Sequence, residues 1–114
     1  MYSWGNDSNA TRANYNVSGL SQTRDVGYYA ANPWGFLDMH GNVWEWTADW
    51  YQAAYPIGNP VVDPTGPVSG SNRVHRGGSW NLGGSSLRSA KRLTNPPSTR
   101  GGSVGFRVGF QKSQ

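Results

Sequence analysis

The sequence predicts a small α+β domain, loop-rich and low in regular secondary structure, built on short antiparallel strands. Three observations lead there. Glycine and proline supply 16 and 7 of the 114 residues, which suits an irregular backbone better than a helical bundle. Aliphatic residues are few, but there are six Trp, six Tyr and three Phe, and each large aromatic buries roughly 150–250 Å² and can anchor an irregular core. Only short segments carry the period-two alternation of a half-buried strand.

Residues 1–32 place Asn, Ser and Gly at most positions where a regular element would need apolar periodicity, so ordered loops are expected there. In residues 42–51, Trp44 and Trp46 face one way and Val43, Glu45 and Thr47 the other, which predicts a first strand. Pro56, Pro60, Pro64 and Pro67 then break residues 52–72 into a surface connection. Residues 73–80 read as a second strand entering Gly77-Gly78, where a backbone without Cβ permits close packing or positive φ. Between 80 and 105 no period is sustained, and long loops in a small domain are usually functional or disordered. Residues 104–110 alternate again, with Phe106, Val108 and Phe110 on one face of a closing strand. No repeat, linker or charge block marks a second unit, so residues 1–114 are read as one domain.

Composition also excludes chemistry. Without cysteine there is no disulfide, thiolate metal site or Cys nucleophile. No run of 18 apolar residues and no Lys- or Arg-led apolar segment at the start predict neither a membrane span nor a signal peptide; the compartment stays unassigned. All six acidic residues lie at or before Asp63, while eight of ten Lys and Arg lie from Arg73 onward. These arginines are scattered singly among Gly and Ser and suit internal pairing with Asp38, Glu45 or Asp49 better than a nucleic-acid surface.

Several motifs, each weak alone, recur in a specific order. They are Tyr2-Ser3-Trp4-Gly5-Asn6, Arg12-Ala13-Asn14-Tyr15, Asn32-Pro33-Trp34-Gly35-Phe36-Leu37-Asp38-Met39, Gly41-Asn42-Val43-Trp44-Glu45-Trp46-Thr47, Arg76-Gly77-Gly78-Ser79-Trp80, Leu87-Arg88-Ser89-Ala90 and Gly105-Phe106-Arg107. Together they resemble the C-terminal part of the formylglycine-generating, sulfatase-modifying-factor family. The resemblance implies a C-type-lectin-like fold, here truncated and minimal because the family's upstream segment has no counterpart. The side of the core left uncovered implies a homodimer or larger assembly. Residues 76–108 resemble, more loosely, the variable region of C-type-lectin-like proteins diversified by retroelements.

The family's generating enzymes bind copper through two cysteines downstream of the Gly-Gly-Ser motif, and soft thiolates are what Cu(I) requires. Here those places fall near Leu82 and in a shortened stretch at 83–87, and neither is Cys. The resemblance therefore implies no copper and no copper-dependent oxidation. With only His40 and His75, an iron site like that of the related sulfoxide synthases cannot be assembled. Ser79 has no nucleophile elbow or His–carboxylate orienter beside it.

Asp38, Gly41, Val43 and Glu45 match the places where the family binds a structural Ca²⁺, through two carboxylates and two backbone carbonyls. Asn14 and the Tyr15 carbonyl match part of a second such site whose acidic partner is missing. The competing reading is that Asp38 caps a turn and Glu45 pairs with Arg88 or Arg107. Trp44 and Trp46 read as core, whereas Trp80 borders small polar residues of the kind found on adaptable recognition surfaces.

The functional expectation is a non-catalytic module whose loops 81–86 and 91–103 present Trp80, Asn81, Ser85, Ser86, Lys91, Asn95 and Arg100 to a protein, peptide or glycan. The alternative is a subunit of a formylglycine-generating enzyme completed by another chain, which the missing cysteines disfavour.

Overall fold

The computed structural model describes residues 1–54 and 66–109. The expectations for Pro56, Pro60, Pro64 and Phe110 lie outside the described residues.

Strand β1 (Trp44–Trp50), rich in Trp and Thr that suit a pleated, half-buried surface, pairs antiparallel with β2 (Arg73–Arg76). Glu45 lies opposite Arg76 and Trp46 opposite His75, and the register shifts before Trp50 meets Arg73. β3 (Leu93–Asn95) runs antiparallel to the outer edge of β2, and β4 (Val104–Gly105) runs parallel to β1. The resulting order is β3-β2-β1-β4. The sheet is thus mixed, where purely antiparallel strands were expected. Gly105 permits the parallel contact, because a Cβ there would lie 2.8 Å from the Val43 Cγ2.

Three further expectations are corrected. The second strand stops at Arg76, because Gly77 and Gly78 take φ of 94° and 78° and leave the extended path. The closing strand ends at Gly105, and its alternating residues gain no cover: Phe106 is 78% and Val108 67% exposed. Residues 91–103, read as loop, contain β3, which is too short to display a period. Of helical structure, as the α+β expectation has it, the described residues hold two 3-10 turns, Asn16–Ser18 and Gly84–Leu87.

The apolar core is small. Ala13, Tyr15 and Leu87 form its centre, with Tyr2, Trp4 and Ala10 packed against them. Trp44, Val74 and Tyr29 are also buried, together with the polar Asn14, His40, His75 and Ser79. Residues 1–32, expected as ordered loops, therefore supply core side chains with no regular element beyond the Asn16–Ser18 turn. No helix among the described residues is long and apolar enough to cross a membrane.

Candidate functional site

The segment 38–42 organises the molecule's concave surface. Asp38, Gly41 and Asn42 all have positive φ, at 53°, 81° and 67°. Asp and Asn are the non-glycine residues that tolerate this region best. The turn is held from both sides: Gly41 N–H donates to the Gly77 carbonyl at 2.7 Å and Asn42 N–H to the Asn14 carbonyl at 2.8 Å. The Asn42 side chain brackets Arg24, its Oδ1 accepting the Arg24 N–H at 2.8 Å and its Nδ2 donating to the Arg24 carbonyl at 3.1 Å. Buried Asn14 donates to the Gln22 carbonyl and to Asn42 Oδ1, while its own Oδ1 accepts the Ser18 hydroxyl at 2.6 Å.

Asp38, Gly41, Val43 and Glu45 come together here. All four line one cavity of about 420 Å³, with Phe106 and Arg107 on its wall. Their donors are of the type a hard cation takes, and Ca²⁺ draws six to eight oxygens at about 2.3–2.6 Å. The residues fit such an ion in kind, yet both Glu45 oxygens are engaged. Arg107 Nη2 donates to Oε1 at 2.8 Å and Nε to Oε2 at 2.9 Å, and Nη2 also reaches the Leu37 carbonyl. Bonding to Glu45 holds the Arg107 guanidinium pKa above its ordinary value. Asp38 Oδ2 accepts the Gly27 N–H at 2.6 Å. The second family site fares differently, because Asn14 Oδ1 is taken by Ser18 and the Tyr15 carbonyl accepts both the Ser18 N–H and hydroxyl.

Asp38 also borders a second cavity, of about 470 Å³, lined among others by Trp4, Arg12, Asn32, Phe36 and His40. His40 serves structure there. Its Nδ1–H donates to the Leu87 carbonyl at 2.6 Å, so Nε2 is the acceptor for the Ser3 N–H at 3.0 Å. Trp4 and Tyr2 pack edge-on against the ring. Sequence reasoning missed this cavity; its residues lie within recognisable motifs, but their convergence depends on the loop path of residues 1–40.

The residues expected to bind a ligand occupy a different surface, and none of residues 80–103 lines either cavity. Asn81, Ser85, Lys91 and Arg100 are exposed, whereas Trp80, Ser86 and Asn95 are half-buried. Trp80 is tied down: its backbone N–H donates to the Asn42 carbonyl at 2.9 Å and its indole N–H to the Gly102 carbonyl at 3.2 Å. Asn95 belongs to β3 opposite Arg73. Gly84, inside the loop 81–86, is enclosed, because a Cβ there would meet the Ser8 side chain at 2.4 Å.

A curled, mixed four-stranded sheet carrying long, hydrogen-bonded loops defines a C-type-lectin-like protein. The chain belongs to the sulfatase-modifying factor enzyme 1-like domain family, whose model matches residues 1–111. It is 41% identical over 92 residues to the formylglycine-generating enzyme of Streptomyces coelicolor, a match covering 78% of this chain and 29% of that protein. Among solved structures it is similar to Treponema denticola variable protein 1, with a TM-score of 0.75 and 33% identity over 90% of this chain and 38% of that one. PvdO from Pseudomonas aeruginosa is similar too, with a TM-score of 0.74 and 32% identity over 93% of this chain and 42% of its own. The chain therefore spans well under half the length of each of these relatives.

Proposed function

We propose that the chain is a non-catalytic binding module that presents loops 81–86 and 91–103 to a protein, peptide or glycan. The observation that carries this reading is an exposed polar segment between fixed points: Asn81, Ser85, Lys91 and Arg100 are exposed, while Ser79 and Leu87 in the same stretch of chain are fully buried. Likeness to the Treponema variable protein supports it, as does a sequence without the thiolates that copper-dependent formylglycine generation needs. A joint substitution of Asn81, Ser85, Lys91 and Arg100 is expected to keep cooperative unfolding, since exposed positions cost about 0.5 kcal/mol or less each and about 2 kcal/mol at most together. The same variant should lose whatever partner the native chain retains from glycan and peptide arrays. Loss of the fold in this variant, or conversion of a sulfatase-motif peptide to its aldehyde by the native chain, would overturn the proposal.

The reading includes a structural Ca²⁺ at Asp38, Glu45 and the Gly41 and Val43 carbonyls. The shared cavity supports it, and Arg107 is the competitor for Glu45. An ion that binds only the folded state raises stability by RT ln(1 + [L]/Kd), about 2.7 kcal/mol at a hundred times Kd. Added Ca²⁺ is therefore expected to raise the melting temperature and EDTA to reverse it, and Asp38→Ala to abolish the response. Melting that ignores both additions would leave the Glu45–Arg107 pair as the whole role of these residues. The module is further proposed to work as a homodimer or larger assembly, a reading supported by the exposure of Val26, Trp34 and Phe106.

A further inference from the structure

We propose that the cavity bordered by Trp4, Arg12, Asn32, Phe36 and Asp38 binds a small zwitterion of the α-amino-acid type with an aromatic or large apolar side chain. Its volume of about 470 Å³ falls within the range of roughly 300–1,000 Å³ typical of small-molecule sites. The ligand class follows from which polar groups on its wall are already engaged.

His40 is engaged at both ring nitrogens, by Leu87 and Ser3, and the Trp4 indole N–H donates to the Asp7 carbonyl at 2.9 Å. Asn32 Oδ1 accepts the Trp34 and Phe36 N–H groups, each at 3.0 Å, so its remaining capacity is the donor NH₂. The Ser3 hydroxyl and the Arg12 guanidinium have no partner among the described residues, and the ion pair found there joins other groups, Arg107 and Glu45. Asp38 uses Oδ2 on Gly27 and its charge also acts on Arg107, both in the neighbouring cavity, while its Oδ1 has no donor among the described residues. The open wall therefore offers three donors, one of them a full positive charge, and one anionic acceptor.

Arg12 and Asp38 border one cavity yet form no ion pair with each other. A simple anion bound by Arg12 would share the cavity with the Asp38 carboxylate, and a simple amine bound by Asp38 would share it with the guanidinium. A ligand carrying both charges satisfies both groups, its carboxylate on Arg12 with Asn32 and Ser3, its ammonium on Asp38. Phe36 and Met39, 56% and 40% exposed, supply the apolar wall that a bulky side chain would cover.

Calorimetric titration of the full chain with L-phenylalanine, N-acetyl-L-phenylalanine and L-phenylalaninamide tests the assignment. The zwitterion should bind at least about tenfold more tightly than either analogue, because hydrogen bonds to charged groups contribute about a factor of ten or more each. Arg12→Gln should weaken L-phenylalanine binding by about tenfold with an unchanged melting temperature, since Arg12 has no internal partner to lose. The ammonium end is read from N-acetyl-L-phenylalanine alone, because Asp38 also holds the Gly27 N–H and belongs to the proposed Ca²⁺ site, so its replacement would alter stability as well. Equal binding of the N-acetyl form would make this an anion site, and no saturable binding of L-phenylalanine, or indifference to Arg12→Gln, would reduce the cavity to a gap in packing. Each of these outcomes overturns the proposal, and none bears on loops 81–86 and 91–103.

Discussion

Trp44→Ala is expected to abolish cooperative folding, whereas Phe106→Ala, a change of the same class in a matching motif, should leave it intact. Trp44 is 2% exposed and opens β1, in register with Val104 of β4. Its backbone N–H donates to the Ser103 carbonyl at 2.8 Å, and its side chain is one of few large apolar groups buried in the described residues. Truncating a buried aromatic to Ala costs about 3–5 kcal/mol. Small domains have about 5–15 kcal/mol in total, and the few apolar groups buried among the described residues put this one at the low end, where the loss takes most of the reserve. Phe106 is 78% exposed, and a substitution at such a position stays within about 0.5 kcal/mol. Urea unfolding followed by tryptophan fluorescence at low protein concentration distinguishes the two. Equal losses in both variants would mean that Phe106 is covered in solution, and a Phe106→Ala effect that grows with concentration would assign that cover to a second copy.

The contrast marks where the sequence could be read and where it could not. Alternation located β1 correctly, because Trp44 and Trp46 repeat at the pleat's period and Trp44 does face the interior. The same alternation at Phe106 and Val108 misled, since a period of two says which residues share a face and nothing about whether that face is covered. β3 left no signal, because three residues hold less than two periods and their pairing comes from β2. Glu45 pairing with Arg107 was legible as one of two alternatives, and the structure selects Arg107 over Arg88, which turns to the Ser85 carbonyl. The turn at 38–42 was legible as a motif, but the reason Gly41 stands in it was not. A Cβ there would lie 2.3 Å from the Asn14 carbonyl oxygen, a contact between segments 27 residues apart in the chain. Long-range encounters of this kind also build the cavity around Arg12 and Asp38.

His75→Phe is expected to stabilise the domain at neutral pH and to stabilise it further in acid. His75 lies in β2 opposite Trp46 on one side and Leu93 on the other, is 0% exposed, and has no hydrogen-bond partner at either ring nitrogen. The Trp46 ring packs edge-on against it with centroids 3.7 Å apart. A buried polar group without a partner costs about 1–3 kcal/mol, and an apolar ring of similar shape avoids that cost. Burial also disfavours the charged imidazolium and lowers the His75 pKa from its ordinary 6.5. As pH falls through 6.5 the unfolded chain takes up a proton that the folded chain refuses, so stability is full above that value and declines below it. The charged residues of the two strands, Glu45 and Asp49 on β1 and Arg73 and Arg76 on β2, make no hydrogen bond to the ring that could compensate. His40 adds to the decline in the same direction: burial lowers its pKa, against the opposing pull of the Leu87 carbonyl. Melting curves of the native chain and His75→Phe, recorded from about pH 8 to about pH 5, should therefore diverge as the pH drops, with the variant keeping the shallower slope that belongs to His40. A variant less stable than the native chain near pH 7.5, with an unchanged acid slope, would show that the ring nitrogens of His75 are satisfied in solution.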